Sequence, residues 1–342
     1  QMENTTNRQT GYIIIIITIS GLLFNFNKKI NFYDGFRKPS ESPDARKIWD
    51  SQRLTDPSTG KLPNNIHSKE IAFAQTLPND IGSNMLNWIK EGPFNVGGRT
   101  RALAIDITDE NILLAGGASG GIWRSTDQGQ SWDKMTRHFQ LHNVTCIEQD
   151  QRSGKENIWY HGTGELSGSS AGGGDAYFDG NGIYKSIDGG ITWDSIPSTA
   201  DNNAAGTFNP WDFIWNIAID QSNLIDDELY AATYGSIHRS IDGGQTWSTV
   251  LGGGSAYYNN VEVTKDGIVY ATLSSDGTDK GIWRSPDGIN WNRIHPISFP
   301  QVYGRTAIGI NPSNENEIYF LISETDGSGQ FTNIFFNGQT WT

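Results

Sequence analysis

The fold is decided by the stretch Gly121-Ile122-Trp123-Arg124-Ser125-Thr126-Asp127-Gln128-Gly129-Gln130-Ser131-Trp132. Its apolar first half favours a β-strand, and the Asp and Gly that follow favour a tight turn. The same order of residues returns at 182–193 and 236–247, and in degraded form at 281–291 and 337–341. The closing tryptophans are 61, 54, 44 and 50 residues apart, which is typical of one four-stranded unit per repeat.

Two more β-like runs precede each of these turns. The first of each pair covers 102–105, 144–147, 214–219, 261–263 and 307–310. The second covers 112–114, 158–160, 229–231, 268–271 and 318–322. With the strand before the turn and the stretch after the Trp, each repeat has four antiparallel strands. Such units cannot bury their own faces, so the sequence predicts an all-β protein, a β-propeller with about five blades and an incomplete ring.

The repeated turn has the pattern S-x-D-x-G-x-x-W, known as the Asp-box or BNR repeat. Its hydroxyl and carboxylate bond backbone N–H groups of the turn, its Gly takes a positive φ, and its Trp buries a ring. We interpret these residues as structural because they recur in every unit. They are Ser125, Asp127, Gly129 and Trp132; Ser186, Asp188, Gly190 and Trp193; Ser240, Asp242, Gly244 and Trp247; and Ser285, Asp287 and Trp291.

Composition supports a β protein and excludes some partners. Gly accounts for 40 of 342 residues, aromatic residues for 11% and charged residues for only 18%. The net charge of −13 disfavours nucleic acid and anionic membrane as partners, since both attract basic surfaces. Cys146 is the only cysteine, so the chain has no internal disulfide, and its β-like surroundings indicate a small packed side chain.

The N-terminal part differs from the repeats. The apolar run Tyr12–Phe24 fits a signal peptide and is short for a membrane span, although an uncleaved anchor stays open. We therefore divide the chain into a signal peptide or N-terminal anchor (1–24), an N-terminal extension (25–90) and an incomplete propeller (91–342). The extension is predicted to be partly helical, with one helix over His67–Leu77 that ends at Pro78.

Propeller connectivity separates structural turns from candidate binding loops. In blades of strands A to D, the A–B and C–D connections share one face, and the B–C and D–A connections share the other. Asp-boxes are C–D turns, so a ligand is expected on the B–C/D–A face, where three loops contain carboxylates and aromatic residues. The candidates are Glu165, Asp175, Tyr177 and Asp179 in one loop, Trp211 and Trp215 after the second, and Tyr257 and Tyr258 after the third. The alternative is that these three loops are only Gly-rich connectors, whose aromatic side chains cover the edges of the blades.

No metal or cofactor is predicted. The turns at 274–280 and 324–329 contain oxygen ligands suited to Ca²⁺, but neither has EF-hand spacing and Lys280 repels a cation. We therefore interpret both as polar turns, with Ca²⁺ as a minor alternative.

The repeats resemble those of sialidases, of xyloglucan hydrolases and of sortilin-like receptors. The chain is most similar to sortilin-like propellers of large secreted Bacteroidota proteins, through 87–88, 91–100 and 115–121. That resemblance covers about residues 45–342. It implies secretion or a cell-surface location, export by the type IX system, and further blades and domains after Thr342.

At the positions that match the catalytic residues of these enzyme families, the chain has other residues. The xyloglucan hydrolases have an Asp before a Gly-Gly-x-aromatic-Arg strand, and Ala118 stands at that position here. A sialidase needs an arginine triad and a Tyr–Glu pair, and the positions of Arg99, Arg101 and Arg305 in the repeats predict no triad. Motifs of serine hydrolases and zinc proteases are missing from the sequence.

The sequence thus favours an exported, non-catalytic propeller that binds a protein or a glycan on its B–C/D–A face. One alternative is a glycoside hydrolase with its carboxylates elsewhere on that face or in blades outside this chain. A second is a structural spacer in a large adhesin-like protein.

Overall fold

The computed structural model describes residues 52–61, 63, 66–77, 98–137, 139–166, 178–200, 209–254, 256–324 and 331–342. The export segment predicted at 1–24 lies outside them. Within the extension, the predicted helix is observed as α1, Ile66–Thr76. In the described part of the chain, no helix is both long and apolar enough to cross a membrane.

The repeats fold as predicted into five antiparallel sheets, four of four strands and one of three. Blade 1 contains β1 (Thr100–Ile105), β2 (Leu113–Gly117), β3 (Gly121–Ser125) and β4 (Asp133–Lys134). Blade 2 contains β5 (Cys146–Gln149), β6 (Trp159–Gly162), β7 (Ile183–Ser186) and β8 (Asp194–Ser195). Blade 3 contains β9 (Ile214–Ile219), β10 (Leu229–Thr233), β11 (Ser236–Ser240) and β12 (Ser248–Gly252). Blade 4 contains β13 (Asn259–Val263), β14 (Val269–Leu273), β15 (Gly281–Ser285) and β16 (Asn292–Arg293). Blade 5 contains β17 (Tyr303–Ile310), β18 (Ile318–Glu324) and β19 (Phe331–Phe336).

The first strands of successive blades lie side by side, in the order β1, β5, β9, β13 and β17. The fold is therefore a β-propeller whose ring these five blades do not close. The hydrophobic core lies between blades: Leu114 and Ile122 of blade 1 pack with Trp159 and Trp193 of blade 2. Three more clusters join blades 2 and 3, 3 and 4, and 4 and 5 in the same way. Each blade thus buries its apolar faces only by stacking against a neighbour.

The Asp-box turns are held by short side-chain bonds. In blade 2 the Ser186 hydroxyl donates to Asp188 at 2.8 Å and accepts from the Gly190 N–H at 3.0 Å. Trp193 donates its indole N–H to the Gly190 carbonyl at 3.0 Å. The glycines of the three full turns have positive φ, as at Gly190 (80°), and so does Gly288 (68°) in the degraded turn of blade 4. In blade 4 the turn is one residue shorter, and the indole nitrogen of Trp291 finds no hydrogen-bond partner in the described part of the chain.

Candidate functional site

The two faces of the propeller are distinguished by backbone bonds between connections. On one face the A–B loops bond the Asp-box turns, as where Gln128 N donates to the Asn111 carbonyl (3.1 Å) and Gly189 N to that of Asn157 (3.0 Å). The opposite face has the B–C and D–A loops and the beginnings of the first strands. There Val144 N, in a D–A loop, donates to the carbonyl of Gly117 at the B–C turn of blade 1 at 3.0 Å.

A glycine at the base of the blade 2 B–C loop fixes the position of Glu165. Gly164 has φ +92°, and a Cβ there would lie 1.7 Å from the Asp212 carbonyl oxygen. Beside it, the Thr163 hydroxyl donates to the Gly182 carbonyl at 2.6 Å and accepts from the Asn181 N–H at 2.8 Å. Only glycine permits this close approach of two loops. The Glu165 carboxylate is therefore held at a defined place near the inner strands.

Three arginines gather around this carboxylate and a buried tryptophan. Arg99 Nη2 lies 3.0 Å and Arg101 Nε 2.7 Å from Glu165 Oε2, and the Glu165 side chain is 0% exposed. The guanidinium carbons of Arg101 and Arg305 lie 6.0 and 5.3 Å from the ring centroid of Trp215, within cation–π range. We call these four charged residues, Arg99, Arg101, Arg305 and Glu165, the arginine cluster. Burial and the charge of Arg101 lower the pKa of Arg305.

An aromatic group adjoins the arginine cluster through Trp215. The indole of Trp215 donates to the Tyr257 carbonyl at 2.7 Å, and its ring centroid is 5.0 Å from that of Tyr258. The Tyr257 ring is 44% exposed and packs edge-on against Tyr234 at 5.2 Å. Asp276 holds this loop by accepting from Tyr257 N at 2.9 Å. We call Tyr234, Tyr257 and Tyr258 the tyrosine group.

The structure brings together only part of the residue set predicted from the sequence. One group contains Glu165, Trp215, Tyr257 and Tyr258, linked through Arg101 and the Trp215 ring. Glu165 and Trp215 are buried, so they support the exposed residues of the site. Trp211 lies apart, packed against His238 and Trp247 with centroids 4.5 and 5.1 Å away.

Of the other residues predicted in this loop, the structure describes Asp179, whose neighbour Phe178 pairs with Glu165 in a β-bridge. Asp179 is half-buried, and its carbonyl accepts from the Asn143 amide at 2.9 Å. Asp175 and Tyr177 lie outside the described residues. Tyr234 is an addition that no sequence signal indicated.

The repeat positions predict no sialidase-like triad, yet the three arginines lie close together, Arg99 and Arg101 beside Glu165 and Arg101 and Arg305 over Trp215. Arg101 is the extra residue of an irregularity between Thr100 and Ala102 in the pairing of β1 with β2. Arg305 lies in a similar irregularity between Tyr303 and Thr306. Such bulges redirect side chains, so alignment by register does not show where they point.

Two carboxyl groups lie further along the inner strands, on either side of β9. Burial raises the pKa of Glu262 to about 8, although the amide of Asn216 lies 3.3 Å from its Oε1. Burial, and then the charge of Glu262, raise the pKa of Glu148 well above its ordinary value. Glu262 is thus held protonated near neutral pH.

We expect Glu262→Gln to stabilise the protein at alkaline pH and to leave it unchanged at acid pH. The folded state keeps the Glu262 proton up to about pH 8, while the unfolded chain releases it near 4.5. The contribution of Glu262 to the free energy of unfolding is therefore complete below about pH 4.5 and is lost as the pH rises to about 8. At pH 8.5 the melting temperature of the variant should exceed that of the wild type by at least about 3 °C. Glu110→Gln, at an exposed position, is the control, and equal curves for both variants would contradict the assignment.

Other potential chemistry in the described residues is limited. Burial raises the pKa of Cys146 to about 12, which leaves the thiol unreactive at neutral pH. Ala118, at the position of the xyloglucan-hydrolase acid, is 6% exposed and contributes no polar side chain. No group of three His, Cys, Asp or Glu side chains suited to a metal ion occurs in the described ranges.

Sequence comparison finds xyloglucanases as relatives, and no family model matches the chain. A Paenibacillus xyloglucanase is 29% identical over 232 residues, covering 57% of this chain and 21% of the relative. One from Hypocrea jecorina is 27% identical over 229 residues, covering 59% and 27%. Xyloglucanase Xgh74A of Acetivibrio thermocellus is 25% identical over 286 residues, covering 68% and 32%. The chain thus spans between about a fifth and a third of the length of these curated relatives.

Solved structures with the same fold include GH74 enzymes. An ancestral GH74 enzyme has a TM-score of 0.53 at 18% identity, covering 71% of this chain and 32% of the other. The GH74 enzyme of Niastella koreensis has a TM-score of 0.50 at 22% identity, covering 71% and 38%. These similarities establish the propeller fold.

Proposed function

We propose that this chain is a polysaccharide-binding propeller of a glycoside hydrolase, with its ligand on the B–C/D–A face. The observation that carries the proposal is the exposed Tyr257 ring, joined through Trp215 to the arginine cluster on that face. An exposed ring offers a stacking surface to a sugar, and nearby charged groups fix its orientation. The xyloglucanase relatives favour a polysaccharide as the ligand.

Within this proposal the described residues bind and orient the ligand. Glu165 is paired with Arg99 and Arg101, so we assign it to holding these two side chains in place. A glycosidase needs two carboxyl groups flanking the scissile bond. We therefore propose that hydrolysis requires carboxylates of the longer protein, outside the residues described here.

The second candidate is a propeller that binds a glycan or a protein without hydrolysing it. Ala118 favours it, because this buried methyl group stands where the resembling hydrolases have their acid. The two candidates differ in one measurement. Release of reducing ends from xyloglucan by the longer protein supports the first, and binding without release supports the second.

We also propose that the protein is exported and acts at the cell surface or outside the cell. The apolar run at 12–24 and the resemblance to sortilin-like propellers of secreted proteins support this. Export by the type IX system rests on the resemblance alone. Detection of the protein in culture medium, lost on deletion of residues 1–24, is the corresponding test.

The binding proposal is tested by changing Tyr257. In affinity electrophoresis through xyloglucan or another polysaccharide, Tyr257→Ala should weaken retardation about tenfold, because the stacking ring is lost. Tyr319→Ala is the matched control, since Tyr319 is a similarly exposed tyrosine (52%) on blade 5, away from the tyrosine group. Equal retardation of both variants would contradict the proposed site.

A further inference from the structure

We propose that the arginine cluster binds a sugar carboxylate, so that the natural ligand is a polysaccharide containing uronic acid residues. This inference rests on the glycan binding proposed above and specifies the class of glycan. It starts from the charge of the site. Arg99, Arg101 and Arg305 bring three positive charges to one place and Glu165 brings one negative charge, in a protein with net charge −13.

The hydrogen-bond donors of the cluster are only partly used by the protein. Arg101 Nε lies 2.7 Å from Glu165 but out of line for a hydrogen bond. Neither Arg101 Nη2 nor Arg305 Nε finds an acceptor in the described part of the chain. Burying such donors without acceptors is unfavourable, so a ligand that supplies acceptors there gains more than it would at an exposed arginine.

Arg152, a structural arginine of the same protein, differs from Arg101 and Arg305 in how its donors are used. Arg152 is also buried, and it donates to Asp150, to the carbonyls of Asn223 and Asp226, and to Asp227 at distances between 2.5 and 2.9 Å. Its nitrogens are satisfied by the chain itself. Arg101 and Arg305 instead both lie over Trp215, and burial together with the charge of Arg101 lowers the pKa of Arg305. A carboxylate matches both the charge and the planar fork of a guanidinium.

The surroundings favour a sugar acid over an acidic peptide. The tyrosine group borders the cluster: Tyr257, whose ring is exposed, accepts the Trp215 indole N–H on its main-chain carbonyl at 2.7 Å. An aromatic ring beside a guanidinium pair suits a pyranose with a carboxylate at one end, because the ring stacks while the carboxylate bonds. The hydroxyl oxygens of a neutral glycan also accept hydrogen bonds, but they carry no negative charge to offset the guanidinium groups and do not match their planar fork.

Binding of the full chain to a uronate polysaccharide tests the inference. Isothermal calorimetry should show polygalacturonate or glucuronoxylan fragments binding at least about tenfold more tightly than the same fragments after carboxyl reduction. Arg305→Met should abolish this preference, and Arg305→Lys should retain part of it. Arg293→Met is the matched control, because Arg293 also lies over a tryptophan, 5.8 Å from the Trp283 centroid, but outside the cluster.

The outcomes separate this inference from the proposed function. Equal binding of native and reduced fragments, or a neutral xyloglucan preferred by wild type and Arg305→Met alike, overturns the uronate assignment and leaves polysaccharide binding in place. Binding of acidic peptides in preference to every glycan, or of no polysaccharide at all, overturns both. The comparison of native with reduced fragments needs no variant, so it decides the question even if Arg305→Met does not fold.

Discussion

Arg152→Met should lower the free energy of unfolding by about 3–5 kcal/mol, the range for removing one partner of a buried ion pair. The side chains of Arg152 and Asp150 are 4% and 2% exposed, and two bonds of 2.8 and 2.5 Å join them. Without Arg152 the Asp150 charge stays buried and unpaired. The bonds from Arg152 to the carbonyls of Asn223 and Asp226 would be lost as well, and these tie blade 2 to blade 3.

Urea unfolding followed by tryptophan fluorescence measures this loss. Arg137→Met, at an exposed position, serves as the control and should change stability by less than about 0.5 kcal/mol. Adding Asp150→Asn to Arg152→Met should recover part of the loss, because the unpaired charge is then removed. If Arg152→Met unfolds at the same urea concentration as the control, the ion pair does not join the blades as described.

Trp193→Ala should cost about 3–5 kcal/mol, the usual range for removing a large aromatic side chain from a core. The Trp193 ring is 1% exposed and packs with Leu114 of the neighbouring blade, so its loss leaves a cavity between blades 1 and 2. Trp291→Ala should cost less, because Trp291 is only half-buried and packs at the edge of its cluster.

A milder pair of variants isolates the indole hydrogen bond. Trp193→Phe removes the bond to the Gly190 carbonyl, whereas Trp291→Phe removes none, since that indole has no partner among the described residues. We therefore expect Trp193→Phe to cost about 1 kcal/mol more than Trp291→Phe. Equal losses at both positions would show that the turn does not depend on the indole bond.

The repeat made the blades predictable from sequence, but strand boundaries were less so. The strand predicted at 144–147 is observed as Cys146–Gln149. Val144 instead donates its N–H to the Gly117 carbonyl of blade 1, so its backbone serves the contact between blades. Tertiary bonds of this kind leave no mark on the local pattern of apolar residues.

For the candidate site, the sequence indicated a face of the propeller but not which side chains come together there. Strand connectivity placed the loops correctly, because alternation of antiparallel strands fixes which connections share a side. The arginine cluster was missed, since Arg101 and Arg305 lie where the strand pairing is irregular and residue alternation no longer gives direction. Burial of Glu165 beneath Arg99 and Arg101 depends on the loop contact at Gly164, which no spacing in the sequence reveals.

Hydrogen exchange in the presence of a bound polysaccharide fragment tests most directly whether the B–C/D–A face is the binding surface. Amide protection should increase at 256–259 and 303–306, where Tyr257, Tyr258 and Arg305 lie. It should stay unchanged in the Asp-box turns at 125–132, 186–193 and 240–247. Protection confined to those turns, or spread evenly over all blades, would contradict this account of the site.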